Sequence, residues 1–381
     1  MEVQTVHRFQ LTTTLCYGPE ALAELTGLSG HKVLIVTDGF MVSTPLMDRV
    51  RERLADATIE FFDQVQPNPD IETVAAGLRA CLTFEPDALL AIGGGSAIDT
   101  AKAVRKMGLE QGRRLTDGFY ILPTTSGTGS EVSSYAVVTD NKTHAKLPLE
   151  SRDMVADVAI LDPEAVRTAP PKLTADSGMD AISHAIEAYV GKGHNDFSDA
   201  LAEKSLRLAN QYLVRSFKDG NDMQAREHQH TAATMAGIAF ENAALGIVHG
   251  LSHSIGGTFH VAHGRLNGIL LPHVIEFNAG ELGFGPGALT ATAERYAALA
   301  TAIGLTAANQ RNLVLALCEW IKKVRHEMEM PTTITEAGVD RSEFKSRIPE
   351  IAHKATGDYC TAGNPVPATQ KQLAAILTAI I

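Results

Sequence analysis

Asp180 and His184 stand four residues apart in the segment SGMDAISHAIEAYV (177–190), and His249 and His253 repeat that spacing in VHGLSHSIGG (248–257). A helix puts residues i and i+4 on one face. Both segments are otherwise apolar, and a carboxylate and several imidazoles buried there would be costly without a shared partner. A single divalent cation would neutralise the carboxylate and use the ring nitrogens. His260 and His263 follow closely. Spacing favours the two i, i+4 pairs as ligands and does not separate His253 from His263. One carboxylate with three histidines suits Fe(II) or Zn(II) with a position left for substrate. A lone histidine on an apolar face is commonly a hydrogen-bonded core residue, so the convergence of these groups is what argues for a metal.

A second chemistry lies upstream. Gly93, Gly94, Gly95 and Ser96 follow the apolar run ALLAI (88–92) and lead into a helical pattern carrying Asp99 and Lys102. Glycines let the backbone approach a pyrophosphate, and the amides and dipole of a helix start favour its charge. A tight strand-to-helix turn would read the same way, and the usual dinucleotide fingerprint is not met, because its sixth position is Ile98. PTTSGTGSE (123–131) follows a second apolar run, FYIL (119–122), and adds the hydroxyls of Thr124, Thr125, Ser126 and Thr128. Two such loops after two parallel strands share the carboxyl edge of the sheet, where ligands bind. Asp38, after KVLIVT (32–37), would accept from an adenosine ribose and repel a 2′-phosphate, favouring NAD over NADP, although Asp38-Gly39 also reads as a turn. A looser G-x-G-x-x-A match at 283–288 contains Pro286 and follows no strand. There is no Walker motif, so kinase or ATPase chemistry lacks its usual lysine and hydroxyl.

The elements that must position these groups alternate at first. KVLIVT, TIEFF (58–62), ALLAI and FYIL read as buried strands, with amphipathic helices at 45–54 and 70–82 between them. That alternation implies a parallel sheet covered by helices. YAVVT (135–139) and VAIL (158–161) add strand-like sequence; beyond Pro163, Pro170 and Pro171 nearly everything reads as helix. The expected fold is an α/β N-terminal dinucleotide-binding domain over 1–170 and an all-α C-terminal domain over 171–381. The 381 residues suffice for two domains. The net charge of -11 disfavours nucleic-acid and anionic-membrane partners, and no apolar run approaches the length of a membrane span. Cys16, Cys81, Cys318 and Cys360 form no C-x-x-C pair, which fits reduced thiols and a cytoplasmic protein. Glu2, Gln4, His7 and Gln10 interrupt any secretory signal.

In order along the chain stand DGF (38–40), PNPD (67–70), GGGSAIDTAKA (93–103), PTTSGTGSE, Asp180-x3-His184, VHGLSHSIGG leading to His263-Gly264, and the tail DYCTAGNP (358–365). By these motifs the chain resembles the iron-dependent, or group III, alcohol dehydrogenases over nearly all its length. DGFMVSTPLMDRV (38–50) and DFSDALAEK (196–204) are most similar to the propanol dehydrogenases of propanediol breakdown. The resemblance implies a Rossmann-like domain, a helical domain and an active site between them. It implies that Asp180, His184, His249 and His263 hold iron, with zinc possible, and that His253 is left free to relay a proton. It implies NAD contacts at Asp38, Asn68, Gly94, Gly95, Ser96, Asp99, Thr124, Thr125, Thr128 and Lys146. The expected reaction is hydride transfer between NAD(H) and a small aldehyde or primary alcohol, in a homo-oligomer of at least two chains, with the Phe9 to Leu15 segment a candidate strand at the contact. The alternatives are a non-redox lyase on the same scaffold, as in the similar dehydroquinate synthases, and an inactive binding protein. Leu266, Glu276 and Val366 depart from the family pattern, which bears on cleft shape and substrate choice.

Overall fold

The computed structural model describes residues 8–141, 146–280 and 288–381. Glu2, Gln4, His7, His144 and residues 283–287 of the glycine-rich match lie outside them. The first half contains strands β1 (Thr14–Tyr17), β2 (Lys32–Val36), β3 (Thr58–Phe62), β4 (Ala88–Gly93), β5 (Gly118–Pro123), β6 (Tyr135–Thr139), β7 (Lys146–Glu150) and β8 (Val158–Leu161). Helices α1 (Pro45–Arg53), α2 (Ile71–Phe84), α3 (Gly95–Glu110) and α4 (Glu164–Arg167) are set between and after them. Thr44 and Asp70 cap α1 and α2 by accepting the amides of Met47 and Thr73, and Pro45 supplies the first turn of α1.

Six strands form a parallel sheet in the order β1-β8-β5-β4-β2-β3. The chain leaves β2 toward β3 on one side and returns as β4 on the other, so a crevice opens beyond the carboxyl ends of β2 and β4. Successive side chains of these strands enter two separate cores. Leu34, Val36, Leu89 and Ala91 pack under α2 and α3, whereas Val33, Ile35, Leu90 and Ile92 pack under α1. Burial on both faces is why the strands read as continuous apolar runs.

YAVVT is a strand, but it belongs to the separate antiparallel hairpin β6–β7. β7 carries Pro148 and has no buried residue, so it gives no apolar signal. The edge strand β1 starts at Thr14, later than the Phe9 to Leu15 reading placed it. Upstream of it the Phe9 ring lies 5.4 Å from that of Phe197, and the Gln10 amide donates to Asn242. Within the chain, contacts to Phe197 and Asn242 hold that stretch.

The second half is helical: α5 (Pro171–Val190), α6 (Asp196–Lys218), α7 (Met223–Ala243), α8 (Ile247–Phe259), α9 (His263–Ala279), α10 (Ala291–Ala302), α11 (Gln310–Glu327), α12 (Arg341–Thr356) and α13 (Gln370–Ala379). One large core joins them, running from Met179 and Ile182 of α5 through Val248 and Leu251 of α8 to Leu373 of α13. No single helix among the described residues is long and apolar enough to cross a membrane.

Candidate metal and dinucleotide site

From Gly178 to Val190 every residue of α5 is buried, so Asp180 and His184 enter the core side by side, 5% and 4% exposed. α8 brings His249 and α9 begins with His263. The Nε2 atoms of His184, His249 and His263 lie 3.8, 3.6 and 3.6 Å from Asp180 Oδ1. Each ring is turned inward because its Nδ1 is engaged elsewhere. His184 donates to the Gly127 carbonyl at 3.2 Å, His249 to Glu187, and His263 pairs with the Ser252 hydroxyl at 3.2 Å. This is the arrangement of imidazoles oriented for a metal by a second layer of partners. The Asn267 amide nitrogen lies against three of these groups, 2.7 Å from Asp180 Oδ1 and 3.2 Å from Nε2 of both His249 and His263, while its own Oδ1 is buried and unpartnered. Asp180, His184 and His249 bring ligand atoms within 4.8 Å of one another, a group that fits a metal ion, and His263 Nε2 reaches the same Asp180 oxygen.

Asp180 and His184 are already in the ionisation state a metal needs, and His249 is not. Burial opposes ionisation of Asp180, but the imidazoles of His184, His263 and His249 outweigh it and hold the carboxyl far below its usual range. Burial depresses His184 to about 4, which keeps its ring neutral and able to ligate. His249 is raised to about 9, because the carboxylates of Glu187 and Asp180 overcome its burial.

His253 goes elsewhere. Although i, i+4 spacing puts it on the His249 face, its Nδ1 lies 3.0 Å from Asp358 Oδ2, and its ring stacks on His263 at 5.1 Å. The pairing favoured by spacing alone is thus corrected, since His263 is the ring that meets Asp180. His260 caps α8 in a left-handed conformation and lines the cavity.

The glycine-rich turn after β4 opens directly into α3, whose N-terminus has no side-chain cap. A Cβ on Gly94 or Gly95 would sit 3.2 Å from the methyl of Thr125 or Thr128, a tight contact that favours glycine in the cradle. The Thr125 hydroxyl is buried without a partner. Free amides, close backbone and an orphaned hydroxyl fit a pyrophosphate. Asp38, Gly94, Gly95, Ser96, Thr124, Thr125 and Thr128 line one cleft. Asn68, Asp99 and Lys146 line an adjoining cavity with Asp180, His184, His249, His253 and His263. Gly95, Ser96, Thr128, Asp180 and His263 border both. Lys146 donates to Asn68 at 2.6 Å, and the Asn68 amide to Ser96 at 3.3 Å. Asp38 accepts the Met41 amide through one oxygen. Asp99 is engaged on both oxygens, by Ser130 and the Val137 amide. Leu266, Glu276 and Val366 line neither cavity.

Four residues escaped the sequence reading: Glu187, Asn267, Asp358 and Asn364. Glu187 had a signal, one turn beyond His184 on the buried face. Asn267 had the same signal, one turn beyond His263 on α9, whereas Asp358 and Asn364 reach the site from a distant segment. Glu187 and Asn364 also supply the cap that Gly246 cannot, accepting the Val248 amide at 2.7 Å and the Ile247 amide at 3.3 Å.

The pattern of the iron-containing alcohol dehydrogenases matches residues 12–163, and that of the C-terminal part of the Fe-containing alcohol dehydrogenase family matches 174–381. The chain is 37% identical to the 1-propanol dehydrogenase of Salmonella typhimurium over 379 residues, 99% of this chain and 100% of the other. It is 39% identical to the NADPH-dependent butanol dehydrogenase of Clostridium saccharobutylicum, covering 94% of each. Its fold is similar to that of an iron-containing alcohol dehydrogenase from Thermococcus thioreducens, with TM-score 0.88 and 32% identity over 98% of this chain and 99% of that one. A 1,3-propanediol oxidoreductase superimposes with TM-score 0.90 at 29% identity over 99% and 100%. The chain belongs to the iron-containing alcohol dehydrogenase family and is a metal-dependent oxidoreductase of alcohols and aldehydes.

Proposed function

We propose that the chain moves a hydride between NAD(H) and a short primary alcohol or its aldehyde, such as 1-propanol and propionaldehyde. Asp180, His184, His249 and His263 hold the metal, Fe(II) with Zn(II) as the alternative. The observation that carries the reading is the continuity of the two cavities through Gly95, Ser96, Thr128, Asp180 and His263. It lets a dinucleotide lie along the sheet edge with its reactive end beside the histidines.

When bound, iron supplies Lewis acidity to the substrate oxygen and the nicotinamide gives or takes the hydride. The chain does the rest. The start of α3, with Thr124, Thr125 and Thr128, binds the pyrophosphate; Asp38 accepts from the adenosine ribose; Asn68, Ser96, Asp99 and Lys146 flank the nicotinamide half. His253 faces the same cavity and passes a proton between the substrate oxygen and solvent. We place the division between a dinucleotide domain and a helical domain at 170/171, where α5 begins. We further infer a homodimer in the cytoplasm, consistent with the open edge of β1 and four free cysteines.

The test is kcat/KM for NADH and NADPH over a short aldehyde series. NADH should be preferred, and Asp38→Asn should narrow the preference about tenfold, the equivalent of about 1.4 kcal/mol of lost repulsion toward a 2′-phosphate. A wild-type preference for NADPH would overturn the assignment of Asp38.

A further inference from the structure

His253 is held on three sides, by Asp358, Tyr359 and His263. Its Nδ1 is 3.0 Å from Asp358 Oδ2, across 105 residues of chain. Its ring lies between Tyr359, 5.7 Å away and 22° from parallel, and His263, 5.1 Å away and 13° from parallel. Tyr359 in turn stacks on Tyr135 of β6 at 5.8 Å and 15°. Asp358 is fixed independently of α8, because its Oδ1 accepts the Cys360 amide at 2.9 Å and Thr361 ties the same turn to the Ala355 carbonyl. Side chains of the pair are only 17% and 14% exposed. Partial desolvation of this kind makes a charge-assisted hydrogen bond directional and more than a surface ion pair.

We propose that Asp358 is the positioning residue for His253: its carboxylate keeps the proton on Nδ1 and leaves Nε2 facing the substrate cavity. The inference rests on the dehydrogenase reading for its consequence, but the tautomer itself does not. The three histidines around Asp180 use the same device, with Nδ1 engaged outward and Nε2 turned inward. His253 lines the same cavity, and its Nε2 is the ring nitrogen left to meet a substrate there. Burial opposes ionisation of Asp358, but the hydrogen bond and charge of His253 outweigh it and hold the carboxyl below its usual range. An ionised Asp358 can only accept, so Nδ1 must be the donor. During aldehyde reduction the new alcohol oxygen takes one proton from Nε2–H of the imidazolium, Asp358 stabilises that imidazolium, and solvent returns the proton to Nε2. Oxidation runs the transfer in reverse.

Two measurements decide it. In zinc-loaded, 15N-histidine-labelled protein, His253 should give the shifts of the Nδ1–H tautomer, and Asp358→Ala should move them toward Nε2–H. A wild-type Nε2–H tautomer overturns the proposal whether or not the protein turns over. In iron-loaded protein, Asp358→Ala should lower kcat on the order of 100-fold with KM for the aldehyde and metal content unchanged. Asp358→Asn, which keeps an oxygen acceptor, should fall between. Added to His253→Ala, Asp358→Ala should cost nothing more, because it acts through that ring. An equal further loss in the His253→Ala background would make Asp358 a structural residue and sink the proposal. Turnover absent in wild type with the expected tautomer would instead count against the dehydrogenase reading.

Discussion

Glu187 does two jobs at once. One oxygen accepts from His249 Nδ1 and the other from the Val248 amide, so a single buried carboxylate sets both the ring's orientation and the start of the helix that carries it. Removing its charge loosens the first without abolishing the second. Glu187→Gln should weaken iron or zinc binding about 10- to 100-fold, measured by competition with a chelator, while the fold persists. Unchanged metal affinity would show that His249 needs no such partner. At this scale the sequence was half legible. Aspartate and histidine on apolar helices announce themselves by type and spacing. Asp358 does not, since an aspartate in a turn 105 residues from His253 looks ordinary until the two segments meet.

At the scale of elements, α8 is the piece on which the site depends, and it cannot cap itself. Its N-cap is Gly246, where a Cβ would lie 2.7 Å from Asn364 Oδ1 and 2.8 Å from Glu187 Oε1, so a larger residue would expel the caps that replace it. Asn364 is also tied to Asn278 and to the Val366 carbonyl. This explains why the C-terminal NP stands among the sequence motifs although it touches neither cavity. Asn364→Ala would leave the buried Ile247 amide unpaired, at a cost of about 1–3 kcal/mol. A lower denaturant midpoint with unchanged slope is the expected result, and no change in midpoint would contradict the capping role. The parallel strands and capped helices of the first half were readable because burial on both sheet faces and side-chain caps leave local signals. The β6–β7 hairpin was not, because β7 gives no apolar signal and β6 is placed by Lys102 and Asp99 of α3. Lys102 donates to the Ser133 and Tyr135 carbonyls and Asp99 accepts the Val137 amide, contacts that no local pattern records.

Across the whole molecule, the PTTSGTGSE loop and the helices that carry Asp180, His184, His249 and His263 are built as one frame. Gly129, at φ 62°, passes so close to α7 that a Cβ would lie 2.5 Å from Gly237 Cα. Glu131 accepts from Thr234, Glu241 from the Ser134 amide, and Lys102 lies buried among them, lowered to about 8 by desolvation. Ser126 pairs with His230 Nδ1 at 3.0 Å across the same seam. Burial lowers His230 from 6.5 to about 4, so the native state holds it neutral while the unfolded chain takes a proton from about pH 6.5 downward. Its contribution is complete above pH 6.5 and is lost as pH falls toward 4, on the order of 3 kcal/mol in all. His230→Gln should therefore flatten the fall in unfolding midpoint between pH 6.5 and 4 relative to wild type. An identical pH profile would mean that this ring is not charged on unfolding.

The most direct test of the central claim is to strip the protein of metal, reload it anaerobically with Fe(II), and measure bound metal and NADH consumption with propionaldehyde, beside an Asp180→Ala chain treated alike. The account predicts one iron per wild-type chain with turnover restored, and neither in the variant. Full turnover by stripped protein, or stoichiometric iron held by the Asp180→Ala chain, would contradict it.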